Sequence, residues 1–218
     1  MKYATDTPAD LVLDSFPFPS LVEANIQIYN DWNHERTYVS YIELYKKLSN
    51  AKLLKISGSS FQGLSATNIL LADLPAFCNL VCLEVSSAFC RRWYPYASFA
   101  SCMRILLWFL QLSLNLESIV FTEGVLSDPE DDSWTANSLP QYSLPNLKSV
   151  VIRNFRGCKV ELDMVKLFLA NAGFLQMTTI TTSRYLAKDY KKQMQIASEL
   201  LKFPRASTSC VVEFLTPK

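Results

Sequence analysis

Residues 144–155 read LPNLKSVVIRNF, and within them Asn146-Leu147-Lys148-Ser149-Val150-Val151-Ile152 follows a simple frame: asparagine, apolar, two others, apolar, one other, apolar. The same frame fits Asn50-Ala51-Lys52-Leu53-Leu54-Lys55-Ile56, Asn79-Leu80-Val81-Cys82-Leu83-Glu84-Val85 and Asn115-Leu116-Glu117-Ser118-Ile119-Val120-Phe121. Aligning the first apolar place of each unit gives Leu21, Ala51, Leu80, Leu116, Leu147 and, with a weaker match, Leu175, in steps of 30, 29, 36, 31 and 28 residues. One short strand per unit at such a period describes a solenoid, since no unit can bury its apolar face until a neighbour stacks on it.

Between the strand phrases the spacing becomes helical. YVSYIELYKKLSN places Val39, Ile42, Tyr45 and Leu48 three apart, the repeat of one helix face. VELDMVKLFLANAG puts Leu162, Val165, Phe168 and Leu169 on one face, with Glu161 and Asp163 in the first turn and Gly173 as the stop. LAKDYKKQMQIASELL aligns Leu186, Tyr190, Met194, Ala197 and Leu201 in one stripe. Strand followed by helix, repeated, predicts a curved parallel sheet with helices outside and right-handed crossovers. Counted from the first apolar residue of each phrase, the first, fourth and sixth places point into the stack, while the third, fifth and seventh face outward. The asparagines are expected to bond backbone groups in the turn from helix to strand.

Composition limits what this architecture does. The chain has 218 residues, is half apolar and carries a formal charge of +1, so it can bury a large core and offers no net field for nucleic acid or an anionic membrane. The start MKYATDTPAD lacks the basic-then-apolar pattern of a signal peptide, and the six cysteines are therefore expected as reduced, mostly buried thiols in an intracellular, reducing compartment, cytoplasm or nucleus. The longest uncharged apolar run, ILLWFLQLSLNL (105–116), has twelve residues, against about 20 for a membrane-spanning helix.

These residues carry a likeness to a known family. FPSLVEANIQI (18–28) resembles a leucine-rich repeat of the plant F-box/FBD/LRR-repeat proteins, and LPNLKSVVIRNFRGCKVELDMVKLFLANAGFLQMTTI followed by LLKFPRASTSCVVEFL resembles their FBD domain. The FBD likeness joins the Leu147–Ile152 strand, Phe155-Arg156-Gly157, the helix holding Glu161, and Phe203-Pro204-Arg205-Ala206-Ser207 with Cys210. The resemblance implies an α/β leucine-rich-repeat solenoid, with residues 1–143 as N-terminally incomplete repeats and 144–218 as an FBD domain continuing it. It further implies a non-enzymatic protein-binding module, the substrate-recognition part of an F-box type ubiquitin-ligase receptor. The segment MKYATDTPADLVLDS (1–15) is too short for an F-box and is broken by Pro8, so a Skp-type adaptor is an expected partner only if an F-box lies upstream. It also lacks a clear cap for the end of a solenoid. The alternative is a free-standing binding or decoy protein without ligase docking.

Catalytic and ligand-binding patterns are weak by comparison. Cys78, Cys82, Cys90 and Cys102 contain no Cys-x-x-Cys pair, and no metal site is expected. His34 is the only histidine, and with Asp31 and Glu35 it reads as a loop rather than part of a catalytic triad. The five glycines are scattered and form no phosphate loop, so no cofactor is implied. The acidic run SDPEDD (127–132), with Ser133 and Trp134, is a solvated loop or a partner-contacting insertion. The lysines of the last helix, interrupted by Asp189 and Glu199, read as a solvated face.

Repeat geometry supplies better candidates. Outward places include Glu23, Asn25 and Gln27, then Leu53, Lys55 and Ser57, Cys82, Glu84 and Ser86, Ser118, Val120 and Thr122, and Ser149, Val151 and Arg153. A mixed surface of this kind suits an unidentified protein or peptide partner. Lys55, Glu84, Thr122 and Arg153 are the candidate contacts, with a mutual Lys55–Glu84 ion pair as the competing reading of those two. Arg153 leads, because no acidic residue occupies the equivalent place on the preceding strand.

Overall fold

In a computed structural model of the chain, the structure describes residues 2–5, 21–28, 42–58, 60, 74–86, 99–125 and 143–217. Among the described residues, eight strands follow chain order: β1 (Lys2–Thr5), β2 (Glu23–Ile28), β3 (Leu53–Ser57), β4 (Cys82–Ser86), β5 (Ser118–Phe121), β6 (Ser149–Phe155), β7 (Met177–Thr182) and β8 (Val211–Leu215). They form one sheet in the order β1 to β8, every neighbouring pair parallel. The expected α/β solenoid is thus the observed architecture, an open parallel sheet whose sequential neighbours are its spatial neighbours.

The strand phrase explains why the sheet assembles this way. Ala51, Leu54 and Ile56 are buried, as are Leu80, Leu83 and Val85, Leu116, Ile119 and Phe121, and Leu147, Val150 and Ile152. Burying one such aliphatic side chain is worth about 1.5–3 kcal/mol, and a one-residue slip would turn all three out of the core. A recurring backbone device fixes the entry to each strand. The carbonyl of Lys52 accepts the N–H groups of both Val81 and Cys82 at 2.8 and 3.0 Å, that of Val81 accepts Glu117 and Ser118 at 2.9 and 3.0 Å, and that of Glu117 accepts Lys148 and Ser149 at 2.8 and 3.0 Å. Each strand start is therefore registered on the one before it.

Two of the asparagines, Asn115 and Asn146, act between repeats. Asn115 Nδ2 donates to the Cys78 carbonyl and Asn146 Nδ2 to the Leu114 carbonyl, both at 2.7 Å. Each bond reaches the residue just before the asparagine of the preceding unit. The side chains thereby tie adjacent turns of the solenoid together.

Three helices are fully bounded, α1 (Phe99–Gln111), α2 (Lys159–Asn171) and α3 (Tyr190–Lys202), and residues 42–48 are also helical. Ile42, Tyr45 and Leu48 are buried, as the spacing predicts, while Val39 lies outside the described residues. The apolar run at 105–116 supplies most of the buried face of α1, including Leu106, Leu107 and Phe109. Tyr45, Phe77 and Phe109 meet with ring centroids 4.4–6.4 Å apart, joining successive repeats beneath the sheet. α2 buries Leu162, Val165, Phe168 and Leu169, the face read from the sequence.

Several expectations are corrected. α2 ends with Ala172 in an extended conformation, and Gly173 does not have the positive φ of a glycine stop. The segment after β7 is two elements, a short 3₁₀ turn (Leu186–Lys188) and α3, because the Asp189 side chain accepts from Lys192 N and caps a new helix. α3 buries Ile196 and Leu200 and leaves Tyr190, Met194 and Leu201 at 73–77% exposure, so the long apolar stripe is not its packed face. Replacing Met194 or Leu201 by glutamine is therefore expected to change the unfolding free energy by less than about 0.5 kcal/mol. A loss of about 2–5 kcal/mol in chemical denaturation would instead mean that these side chains are core.

Two strands escape the sequence frame. β1 is a four-residue strand pairing Lys2 with Asn25 and Thr5 with Ile28. In β8, Val212 and Phe214 pair with Thr178 and Ile180, but Ser209 stands three places before Val212, where the other units have Ala51, Leu80, Leu116, Leu147 and Leu175. Without that first apolar residue the phrase is not visible. Among the described residues, no helix is long and apolar enough to cross a membrane.

Candidate functional site

Strand register lines the outward places up in rows. The central row runs Asn25, Lys55, Glu84, Val120, Val151, Thr179, Glu213, each residue paired with the next on the neighbouring strand. A second row runs Glu23, Leu53, Cys82, Ser118, Ser149, Met177, Val211. The two rows are charged over β2–β4, apolar and hydroxyl-bearing over β5–β7, and charged again at Glu213 on β8. Most of these side chains from Asn25 to Thr179 are part-exposed, and Glu213 and Val211 at the sheet edge are exposed.

Lys55 stands between two carboxylates, with Nζ 3.2 Å from Glu23 and 3.7 Å from Glu84. The hydrogen bond to Glu23 and then the charge of Glu84 hold its ammonium above the ordinary lysine range. The mutual ion pair read from the sequence is present, extended to a third residue. Cys82 lies beside it, and burial pushes its thiol up despite a hydrogen bond with Ser118. Thr122 Oγ1 donates to the Val85 carbonyl at 3.3 Å, so this candidate is partly engaged within the sheet.

Arg153 sits at a bulge. Ile152 pairs with Ile180 but Phe155 pairs with Thr182, so Arg153 and Asn154 together oppose Thr181. Asn154 takes φ +56, a left-handed conformation that asparagine tolerates better than most residues. Bulges re-aim side chains, and Arg153 is exposed with no ion pair among the described residues. The bulge is braced from behind by Gly124 at φ +70, where a Cβ would lie 2.8 Å from the Asn154 carbonyl oxygen.

Beneath the bulge lies a buried carboxylate. Glu161 Oε2 accepts from Arg156 N and Gly157 N at 2.8 Å and from Cys158 N at 3.4 Å, while Oε1 accepts from Val125 N at 3.2 Å. Burial pushes its pKa up, against the opposite pull of the four backbone bonds. Glu161 was placed correctly in the first turn of a helix, but it joins the exits of two strands rather than facing solvent.

The contact candidates are thus distributed. Lys55 and Glu84 adjoin, Thr122 lies at the exit of β5, and Arg153 stands apart at the β6 bulge. Sequence reading omitted the extension of the same face onto Met177, Thr179, Val211, Glu213 and Leu215, although the alternations Thr178-x-Ile180 and Val212-x-Phe214 were available as signals. His34, Asp31, Glu35, Cys90, the acidic run at 127–132, Ser133 and Trp134 lie outside the described residues. The described cysteines are free thiols; Cys102 and Cys210 are buried, whereas Cys78 is exposed. Among the described residues, no group of three His, Cys, Asp or Glu side chains is placed to hold a metal ion.

A parallel sheet in chain order with helices and a repeated Leu-x-x-Leu-x-Leu-like phrase defines a leucine-rich-repeat type of protein. The FBD family model matches residues 136–180. In Arabidopsis thaliana, an FBD-associated F-box protein is 29% identical over 139 residues, covering 63% of this chain and 26% of its own. An F-box/FBD/LRR-repeat protein of the same plant is 32% identical over 74 residues, covering 34% of this chain and 17% of its own. A putative F-box protein is 27% identical over 261 aligned positions, covering 98% of this chain and 51% of its own. The chain therefore spans about half or less of these relatives. No solved structure matches. The family resemblance holds: the chain is related to the plant FBD-associated F-box proteins, and the FBD model matches it over residues 136–180.

Proposed function

We propose that the chain is a non-enzymatic protein-binding module and the substrate-recognition portion of an F-box type ubiquitin-ligase receptor. The observation that carries this reading is the registered outward face, which presents one side chain from each strand of β2–β8 at regular spacing, charged at its two ends and apolar or hydroxyl-bearing between them. Kinship with F-box proteins supports the ligase context. Leucine-rich repeats occupy residues 1–143 and an FBD domain 144–218 in this reading, with β5 and β6 paired across that boundary without a shift in register. The partner is an unidentified protein, docked on Lys55, Glu84, Thr122 and Arg153, in a reducing compartment. A Skp-type adaptor is engaged through an F-box when one is joined upstream.

Arg153 is the contact to test first, since it is exposed and has no ion pair among the described residues, while Lys55 is engaged by Glu23 and Glu84. Partners cross-linked to the full chain in plant cells are identified, and the affinity of the purified pair is measured. Arg153→Glu is expected to weaken binding about tenfold or more, with Arg104→Glu, an exposed change on α1, as the control. Equal affinity of the wild type and the Arg153 variant would remove this face of β6 from the interface.

A further inference from the structure

Beyond the outward face, the carboxyl ends of β6 and β7 open into a cavity of about 410 Å³ lined by Arg156, Ser183, Tyr185, Leu186, Asp189 and Lys192. We propose that this cavity binds a phosphoryl group, with Arg156, Lys192 and Ser183 as its donors.

The cavity is held in shape before any ligand arrives. Ser183 N donates to the Phe155 carbonyl at 2.7 Å, locking the exit of β7 to that of β6. Lys192 Nζ donates to the Arg156 carbonyl at 3.2 Å, and Gln193 Nε2 donates to the carbonyls of Leu186 and Ala187 at 3.0 and 3.1 Å. The three walls, from β6, β7 and α3, are thus cross-bonded.

Candidate donors line all three walls. The Arg156 guanidinium has no ion pair among the described residues, and Lys192 uses one of its three protons on the Arg156 carbonyl. Ser183 is 3% exposed, and its Oγ accepts from Leu186 N at 3.2 Å, which leaves the hydroxyl proton for the cavity. A planar fork, an ammonium and a hydroxyl contributed by different walls suit a tetrahedral group with three oxygens better than a flat carboxylate. Asp189 opposes anion binding, but one of its oxygens is engaged in capping α3 at Lys192 N, 2.9 Å away. Two cations against one carboxylate leave the cavity positive. Tyr185, 89% exposed at the rim, gives whatever carries the phosphoryl group a ring to lie against.

The shared chemistry fits either a free phosphate compound or a phosphorylated side chain of a bound protein. Calorimetric titration of the full chain with inorganic phosphate, with a phosphoserine peptide and with its unphosphorylated twin separates them. Saturable binding is expected for at least one phosphorylated ligand, none for the twin. Arg156→Gln and Lys192→Gln should each weaken it about tenfold. Asp189→Asn retains the capping oxygen and should strengthen it, a gain that a merely structural role would not produce. Phosphopeptide binding displaced by inorganic phosphate assigns the site to a modified protein, whereas inorganic phosphate binding alone assigns it to a small anion. Absence of saturable binding by both, or affinities unmoved by all three substitutions, would overturn the proposal.

Discussion

Replacing Glu161 by alanine is expected to lower the unfolding free energy by about 3–5 kcal/mol, measured by chemical denaturation. The carboxylate accepts from four backbone N–H groups, those of Val125, Arg156, Gly157 and Cys158. Leaving a buried donor unpaired costs about 1–3 kcal/mol, and those near the surface can recover part of that by bonding water. Glutamine should lie between wild type and alanine, because its amide keeps one accepting oxygen but turns an NH₂ toward a donor. The pH dependence follows from burial, which raises the folded-state pKa of Glu161 above the ordinary 4.5. The folded chain then holds this proton more tightly than the unfolded chain. The associated stability is present in full below about pH 4.5 and declines as pH rises through the raised value. The advantage of wild type over Glu161→Gln should therefore shrink as pH increases across that window. An advantage that grows with pH would show that the four backbone bonds outweigh burial and hold the pKa down.

Glu161 also shows where sequence reading stops. Its place in the first turn of α2 is visible, because acidic residues favour helix starts, but that local rule says nothing about which distant backbone approaches. Val125 is 36 residues away, and only the stacked repeat brings its N–H to the carboxylate. The strands, by contrast, were legible, since a slip in Leu54, Leu83, Ile119 or Val150 would expose the core and periodicity alone reports that constraint. Lys55 and Glu84 could be paired in advance for the same reason, because equivalent places become neighbours. Arg153 was selected for lacking an acidic partner, yet the bulge that projects it depends on Asn154 and on the space left by Gly124. The face of α3 was misread because Tyr190, Met194 and Leu201 form the stronger apolar pattern. Ile196 and Leu200 are buried instead, where α3 meets Gly157 and the turn after β6. That fit is a matter of shape.

Substituting Gly157 by alanine tests that fit and is expected to cost about 2–4 kcal/mol. Two separate effects contribute. Gly157 has φ +69, a conformation that costs a side chain-bearing residue about 1–2 kcal/mol. A Cβ there would also stand 2.2 Å from Ile196 Cδ1 and 3.3 Å from Cγ1, so α3 must repack or lift. Ile196→Val removes the nearer atom and should by itself cost about 0.5–1.5 kcal/mol. In that background Gly157→Ala should retain the conformational cost and only the milder 3.3 Å contact, making the double variant more stable than the sum of the two changes implies. Strict additivity would mean that α3 already yields freely at this contact. The same contact seats the wall that carries Lys192 beside Arg156, so Gly157→Ala should also weaken phosphate binding, and Ile196→Val should restore part of it. Restored binding together with restored stability would tie the shape of the cavity to the packing of one methyl group against one glycine.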